Sequence, residues 1–189
     1  MAKKSKGKQW YTILAPKMFG RAEIGRTLAD NPEEVVGRKI SVSLMSLLND
    51  FRKYYIKFKF RVVSIDNGNA LTEFDGSECM RDYLSRMIRR RSRRVDTIQD
   101  LVTKDGVKIR VKGLAIIRRQ VKTSVKDTIR DSISEILKNE VERTTLEDFI
   151  KRIISDDIKH RILRESSRIY PVRHFEIRKT EVLGKAEPQ

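Results

Sequence analysis

The stretch YYIKFKFRVVSI, residues 54–65, alternates apolar side chains with lysine and arginine almost without interruption. A β-strand points successive side chains to opposite faces, so the alternation predicts a strand with one buried face and one cationic face. The cations on that face are Lys57, Lys59 and Arg61. The stretch VKIRVK, residues 107–112, repeats the pattern with Lys108, Arg110 and Lys112. Two such faces are typical of a surface that binds a polyanion, and an ordinary solvated strand is the alternative.

The charge of the whole chain agrees with a polyanionic partner. Among 189 residues, 42 lysines and arginines outnumber 26 aspartates and glutamates, which gives a formal net charge of +16. Nucleic acid would supply the counter-charge, and an anionic membrane surface is the second candidate. No apolar run approaches the roughly 18 residues that cross a bilayer, and no signal-peptide core follows the basic N-terminus. We therefore expect a cytoplasmic protein with no membrane partner.

The remaining periodicity predicts strands interrupted by helices. Turn residues at 66–69 and 104–106 predict two hairpins. Further strands are predicted near residues 10–14, 39–44 and 172–183. Helical spacing predicts one helix over 80–88 and a helical part over about 122–168. The sequence therefore predicts an α+β fold that is mainly antiparallel, with one interleaved helix and a helical segment before the last strand.

The chain divides into a domain and two tails. We predict a basic N-terminal tail at residues 1–8, a single α+β RNA-binding domain at 9–183 and a C-terminal tail at 184–189. The tail lysines that we expect on phosphates are Lys3, Lys4, Lys6 and Lys8. Within the helical part, Ser124 with Asp127 suits a helix cap. Either Thr144 with Glu147 or Thr145 with Asp148 suits the next cap.

The densest basic feature is RMIRRRSRR, residues 86–94, with six arginines in nine residues. Arginine suits phosphate because its planar fork donates two parallel hydrogen bonds. No carboxylate is interleaved, so we expect contact with RNA or DNA; a solvated charge run and a targeting signal are the alternatives. The expected phosphate-binding residues of this run and of the cluster after residue 117 are Arg86, Arg89, Arg90, Arg91, Arg93, Arg94, Arg118, Arg119 and Lys122. A third cluster at 159–173 includes acidic residues, so partner-facing and solvated interpretations are nearly equal there.

Few residues are suited to catalysis. The two histidines, His160 and His174, have no nucleophile context, and no glycine-rich phosphate loop is present. A single cysteine, Cys79, excludes a disulfide framework and a thiolate-rich metal site. Asp96 and Asp100 could hold Mg²⁺ as in a nuclease, but the third carboxylate nearby is explained by an Asp-Gly turn. We predict no enzyme activity, no cofactor, no metal and no small-molecule substrate.

Short motifs along the chain resemble the small-subunit ribosomal proteins of the S3Ae family, also called eukaryotic-type S1. In order, they are Trp10-Tyr11, Ala15-Pro16, Phe19, Ile24-Gly25, Thr27, Gly37-Arg38, Ser43-Leu44, Thr72 with Phe74 and Gly76, Arg89-Arg90-Arg91, Asp105-Gly106 and Ile169-Tyr170-Pro171. The resemblance covers roughly residues 9–183. Each motif alone is weak, and the ordered set is quite specific.

The resemblance implies a non-catalytic protein of the small ribosomal subunit with a barrel-like β-structure. Members of the family lie on the platform near the mRNA exit, so the expected partners are the 3′ region of the rRNA, neighbouring platform proteins and mRNA near the exit. The chain stops soon after its last predicted strand, which is typical of the archaeal form. The alternatives are a free RNA-processing or translation factor that visits the ribosome, and a DNA-compacting protein.

Overall fold

The computed structural model describes residues 7–185, which fold as two compact units divided between Gly76 and Ser77. The strands are β1 (Gln9–Leu14), β2 (Glu23–Ala29), β3 (Lys39–Ser43), β4 (Ile56–Asp66), β5 (Asn69–Cys79), β6 (Arg93–Val102), β7 (Val107–Ile117) and β8 (Val172–Lys185). The α-helices are α1 (Leu44–Leu48), α2 (Arg81–Met87), α3 (Thr123–Arg143), α4 (Leu146–Ile154) and α5 (Asp157–Ser166). The expectation of a single domain at 9–183 stays a prediction.

The first unit holds a sheet of five strands in the order β2-β1-β5-β4-β3. β1 is antiparallel to β2 and parallel to the start of β5, where residues 12–14 lie opposite residues 69–71. β4 and β5 form the predicted hairpin, which turns at Asn67 and Gly68; both have positive φ. β3 is antiparallel to β4, with Lys39 opposite Arg61.

The apolar side chains of residues 54–65 form the core of this unit, as their alternation predicts. Phe58 and Phe60 are fully buried and pack with Phe19 and Phe74, with ring centroids 5.4 to 6.4 Å apart. Tyr54 differs because it precedes β4, and 43% of it is exposed. A second group of buried residues consists of Tyr11, Ile13, Ala29, Val35, Val62 and Ala70.

The second unit holds a sheet in the order β5-β8-β7-β6, to which β5 contributes residues 77–79. β6, β7 and β8 are antiparallel neighbours, so the start of β6, the end of β7 and the start of β8 lie at one end of the sheet. The β6–β7 hairpin turns at Asp105 and Gly106, where the φ of the glycine is 72°. On the other side of β8, the Ser77 N–H donates to Oγ1 of Thr180 at 2.9 Å.

The helical part supplies half of the second core. Buried side chains of α3, α4 and α5 pack against buried side chains of β6, β7 and β8. The helices contribute Ile129, Ile133, Leu137, Phe149, Ile153, Ile158 and Ile162, and the strands contribute Val95, Leu101, Ile109, Val111, Ala115, Ile117 and Phe175. Thr145 is the N-cap of α4, and its Oγ1 accepts from the Asp148 N–H at 3.2 Å, so the second of the two proposed caps forms. The Ser124 cap is wrong, since α3 follows Lys122 without a side-chain capping bond.

The expectation of a barrel is wrong, whereas the mainly antiparallel α+β class is confirmed. Among residues 7–185, the outer strands β2 and β3 of the first sheet do not pair with each other, nor does β6 pair with β5, so neither sheet closes. Closure depends on pairing between distant strands, which the local pattern does not encode. No helix in this part of the chain combines the length and the apolar character needed to span a bilayer.

Candidate nucleic-acid interface

The predicted cations of β4 point away from the first core. They are Lys57, Lys59 and Arg61. Register places Lys39 of β3 beside Arg61 on this face. Because Phe74 points into the core, Glu73 and Asp75 lie on the same outer face, where the Asp75 carboxylate pairs with Lys39 at 2.8 Å. The face is therefore basic but contains carboxylates from β5.

The basic face of β7 is more strongly neutralised by its neighbours. The Arg110 guanidinium donates two hydrogen bonds, of 2.6 and 2.8 Å, to the Asp100 carboxylate of β6. Lys112 pairs with Glu181 of β8 at 2.9 Å. Of the three predicted cations on this strand, only Lys108 has no ion-pair partner in the part of the chain that the structure describes. Arg110 and Lys112 are therefore less available to phosphate than the strand pattern alone suggests.

The ion pairs of Glu181 give the second unit a stability that depends on pH. Lys179 at 2.5 Å and Lys112 at 2.9 Å lower the pKa of Glu181 from 4.5 to about 2. A carboxyl group whose pKa is lower in the folded than in the unfolded state stabilises the fold at pH values above its unfolded pKa. This stabilisation is lost as the pH falls toward the folded pKa of about 2. We expect Glu181→Gln to cost about 1 kcal/mol or less at pH 7, since solvent screens the pair. Urea unfolding at pH 7, 4 and 2.5 should show this difference shrinking, and a constant difference would contradict it.

The arginine run forms the end of α2, a turn and the start of β6. Arg86 lies in the last turn of α2, and Arg91 adopts a positive φ of 70°. Ser92 fixes the turn because its Oγ accepts from the Arg89 N–H at 3.0 Å and donates to the Arg89 carbonyl at 2.6 Å. All six arginines are exposed. Only Arg94 has a carboxylate partner among residues 7–185, a bidentate pair with Asp96.

Strand register brings arginines from three sequence clusters to one end of the second sheet. Arg93 lies opposite Ile117, and Ile117 lies opposite Val172. Arg118 directly follows β7, and Arg173 is the second residue of β8, so these two extend from neighbouring strand ends. Arg89 lines a common cleft with both of them. We call the exposed arginines of 86–94 together with Arg118, Arg119 and Arg173 the arginine end.

Arg178 and Lys179 were missed by the sequence reasoning. They line a second cleft of about 470 Å³ in this unit together with Arg81, Arg94 and Lys112. The register shifts between Lys112 and Gly113, where Lys179 and Ile177 are successive partners and Arg178 is the extra residue. This bulge breaks the period-two pattern, so neither residue stands out as part of an alternating face.

The third cluster is divided between structural and exposed roles. Lys159 pairs with the buried Glu176, and Arg161 pairs with Glu140 and Glu165, which ties both cations to the fold. Arg164 and Arg168 are exposed. Among the remaining predicted cations, Lys8, Arg119 and Lys122 are exposed. The tail lysines Lys3, Lys4 and Lys6 lie outside the described residues.

The carboxylates considered for a nuclease each have a protein partner. Asp96 binds Arg94, Asp100 binds Arg110, and the Asp105 carboxylate accepts from the Leu146 N–H at 3.0 Å. Between residues 7 and 185, no group of three or more histidine, cysteine, aspartate or glutamate side chains is arranged to hold a metal ion. Burial raises the pKa of the Cys79 thiol to about 12, so this cysteine is a poor nucleophile.

Comparisons with known proteins agree with the resemblance seen in the sequence. The model of the ribosomal S3Ae family matches residues 2–186. A protein of Methanopyrus kandleri named small ribosomal subunit protein eS1 is 42% identical over 184 residues, covering 95% of this chain and 87% of that protein. Proteins of the same name from Sulfurisphaera tokodaii and Saccharolobus islandicus are each 37% identical, covering 95% and 97% of this chain and 93% and 88% of their own lengths.

Proposed function

Because the chain belongs to the ribosomal S3Ae family, we propose that it is a resident structural component of the small ribosomal subunit, bound to rRNA in the cytoplasm. The family consists of ribosomal proteins whose role is structural rather than catalytic. In the proposal, the chain lies on the platform near the mRNA exit. There it contacts the 3′ region of the rRNA, neighbouring platform proteins and mRNA that leaves the subunit. It supports subunit assembly and translation.

The arginine end is the observation that carries this proposal. It gathers exposed guanidinium groups from the end of α2, from a turn and from three strand ends, and in the described residues only Arg94 is held by a carboxylate. Clustered guanidinium groups without counter-charges repel one another, which costs free energy unless an anion lies between them. Phosphates of a folded RNA satisfy both the charge and the hydrogen-bonding capacity of such a cluster.

The mechanism is charge neutralisation by cations held on a folded framework. RNA helices repel each other through their phosphates, and bound lysine and arginine replace the mobile counterions that would otherwise allow their approach. The paired ends of β6, β7 and β8 fix the backbone positions of Arg93, Arg118 and Arg173, and the Ser92–Arg89 hydrogen bonds fix the turn before β6. Phosphate contacts set the position of a protein on RNA, so specificity comes from the shape of the RNA more than from base edges.

Removal of the central arginines should weaken assembly and leave folding intact. We expect Arg89→Ala/Arg90→Ala/Arg91→Ala to lower affinity for the small subunit about tenfold, because several phosphate contacts are lost. The matched control is Lys138→Ala/Arg143→Ala/Lys151→Ala, which removes the same charge from exposed helical positions. Occupancy is measured by quantitative mass spectrometry of small subunits isolated on a high-salt sucrose gradient.

Two outcomes would contradict the proposal. Equal occupancy of the arginine variant and the control variant would mean that the arginine end does not bind the subunit. Wild-type protein that is salt-stripped, or present below one copy per subunit, would indicate a factor that only visits the ribosome. RNA cleavage that needs Mg²⁺ and is lost in Asp96→Ala would then identify a processing enzyme.

A further inference from the structure

A cleft of about 520 Å³ in the second unit is lined by five residues, of which three are arginines. Arg89, Arg118 and Arg173 form its charged part. Pro171 and Val172 form its apolar wall. Among the residues that the structure describes, no carboxylate lines this cleft. It therefore differs from the second cleft of the unit, where Glu78 lies among the cations.

The backbone around the cleft is well constrained. The Ser92 hydroxyl holds the Arg89 backbone in place, because it accepts from the Arg89 N–H at 3.0 Å and donates to the Arg89 carbonyl at 2.6 Å. Val172 is the register partner of Ile117, which immediately precedes Arg118. Pro171 restricts the chain that enters β8. The three arginines are therefore attached to a turn and to two paired strand ends rather than to free loops, which lowers the entropic cost of ordering them around a ligand.

The charge inside the cleft is uncompensated. None of the three guanidinium groups makes an ion pair within residues 7–185. The adjacent His174 is partly buried, and burial together with Arg173, Lys159 and Arg89 lowers its pKa below the ordinary value. Arg89, Arg118 and Arg173 therefore place three positive charges at one cleft. Each guanidinium presents up to five N–H donors and no acceptor, so the complementary ligand is an anion with several acceptor oxygens.

We infer that this cleft binds a single phosphodiester of folded RNA, with its phosphate held by Arg89, Arg118 and Arg173 and its ribose against Pro171 and Val172. The inference rests on the proposed function and adds to it a discrete site. A surface of scattered cations neutralises RNA without fixing any one phosphate. Three guanidinium groups that bind the same phosphate fix its position. Such a fixed point is needed where the RNA backbone turns sharply and brings phosphates together.

The test uses the full chain, two variants and two probes. Arg118→Gln/Arg173→Gln removes two cations from the cleft, and Arg164→Gln/Arg168→Gln removes two exposed cations elsewhere in the same unit. Inorganic phosphate is titrated while the side-chain Nε–H resonances of the arginines are followed by NMR. Binding of an rRNA fragment from the 3′ region is measured between 50 and 300 mM salt. Thermal unfolding checks that both variants remain folded.

We expect phosphate to shift the resonances of the three cleft arginines together and saturably, and the cleft variant to lose this response. The cleft variant should bind the RNA about tenfold more weakly, and the slope of its log affinity against log salt concentration should be smaller by about one. The affinity of the control variant should change less than about threefold.

Equal losses of RNA affinity in the two variants, or phosphate-induced shifts spread over all arginine resonances, would overturn the cleft as a site. If the cleft variant binds as wild type while Arg89→Ala/Arg90→Ala/Arg91→Ala loses occupancy, the cleft fails and the proposed function stands. If neither variant loses binding, both fail.

Discussion

Replacing Gly113 by alanine should lower the free energy of unfolding of the second unit by about 3 kcal/mol, because β7 has no room for a methyl group there. A Cβ atom at this position would lie 2.6 Å from Oγ1 of Thr97. It would also lie 3.1 and 3.2 Å from Cε2 and Cζ of Phe175. Real Cβ atoms do not approach other heavy atoms as closely as 2.6 Å, so the neighbours must move.

Neither neighbour of Gly113 can move cheaply. Thr97 is the register partner of Gly113 on β6, and only 2% of it is exposed. Its branched side chain has few rotamers available, and Phe175 is fully buried against the helical part. Relief would require a shift of β6 or β8 relative to β7. Since these strands carry the arginine end, the variant should also weaken RNA binding at temperatures where it remains folded.

Two variants make the prediction for Gly113 specific. Gly25 lies in strand β2 with no atom within 4 Å of its added Cβ, so Gly25→Ala should change stability by less than about 0.5 kcal/mol. Thr97→Ala removes the hydroxyl that causes the closest contact, so Gly113→Ala/Thr97→Ala should recover part of the loss. Urea unfolding followed by circular dichroism measures all four proteins. Equal effects of the two glycine substitutions would show that a general β-strand preference, and not the clash, sets the cost.

The local features of the fold could be predicted from the sequence. Asn67-Gly68 and Asp105-Gly106 mark both hairpins, because a tight turn needs residues that tolerate positive φ. The apolar residues of β4 fall at every second position, and side chains alternate between the two faces of a strand, so the pattern predicts that Phe58 and Phe60 are buried. Two elements were missed. β2 carries charged residues at both odd and even positions, so it shows no alternation between an apolar and a polar face. α1 has five residues and is too short to show a helical period.

The electrostatic environment of the site could not be predicted in the same way. The alternation in β7 shows that Arg110 and Lys112 share a face, but their partners Asp100 and Glu181 come from neighbouring strands. Pairing between β7 and β8 joins residues about seventy positions apart, and a bulge shifts their register. The sequence therefore identified the cations but not which of them are already neutralised. The arginine run was easier to interpret because it contains no carboxylate.

Replacing Glu140 by alanine should lower the free energy of unfolding by about 2 kcal/mol, since a nearly buried carboxylate joins three helices. Glu140 lies on the buried stripe of α3, where 5% of it is exposed. Its two carboxylate oxygens accept hydrogen bonds from Arg152 of α4 and Arg161 of α5. Helical spacing from Ile133 and Leu137 places Glu140 on this stripe, a signal that the sequence analysis did not use.

The expected loss for Glu140 lies below the roughly 3–5 kcal/mol that removing one partner of a buried ion pair usually costs. Without the carboxylate, two guanidinium groups face each other beside an apolar core. Their side chains are 47% and 43% exposed, however, so both can regain water by turning outward. The loss should therefore come mainly from the helix contacts that the carboxylate orients, and it should change little between 50 and 500 mM salt.

The matched control for Glu140 lies one half-turn along the same helix. Glu142 pairs with Lys138 at 4.0 Å on the surface, with 50% and 61% of the two side chains exposed. Glu142→Ala should cost less than about 0.5 kcal/mol, and salt should reduce that cost further. A double-mutant cycle of Glu140→Ala with Arg152→Ala isolates one of the two buried pairs. If Glu140→Ala and Glu142→Ala have equal effects in urea unfolding, the carboxylate does not hold α4 and α5 against α3, and apolar packing alone positions the helical part.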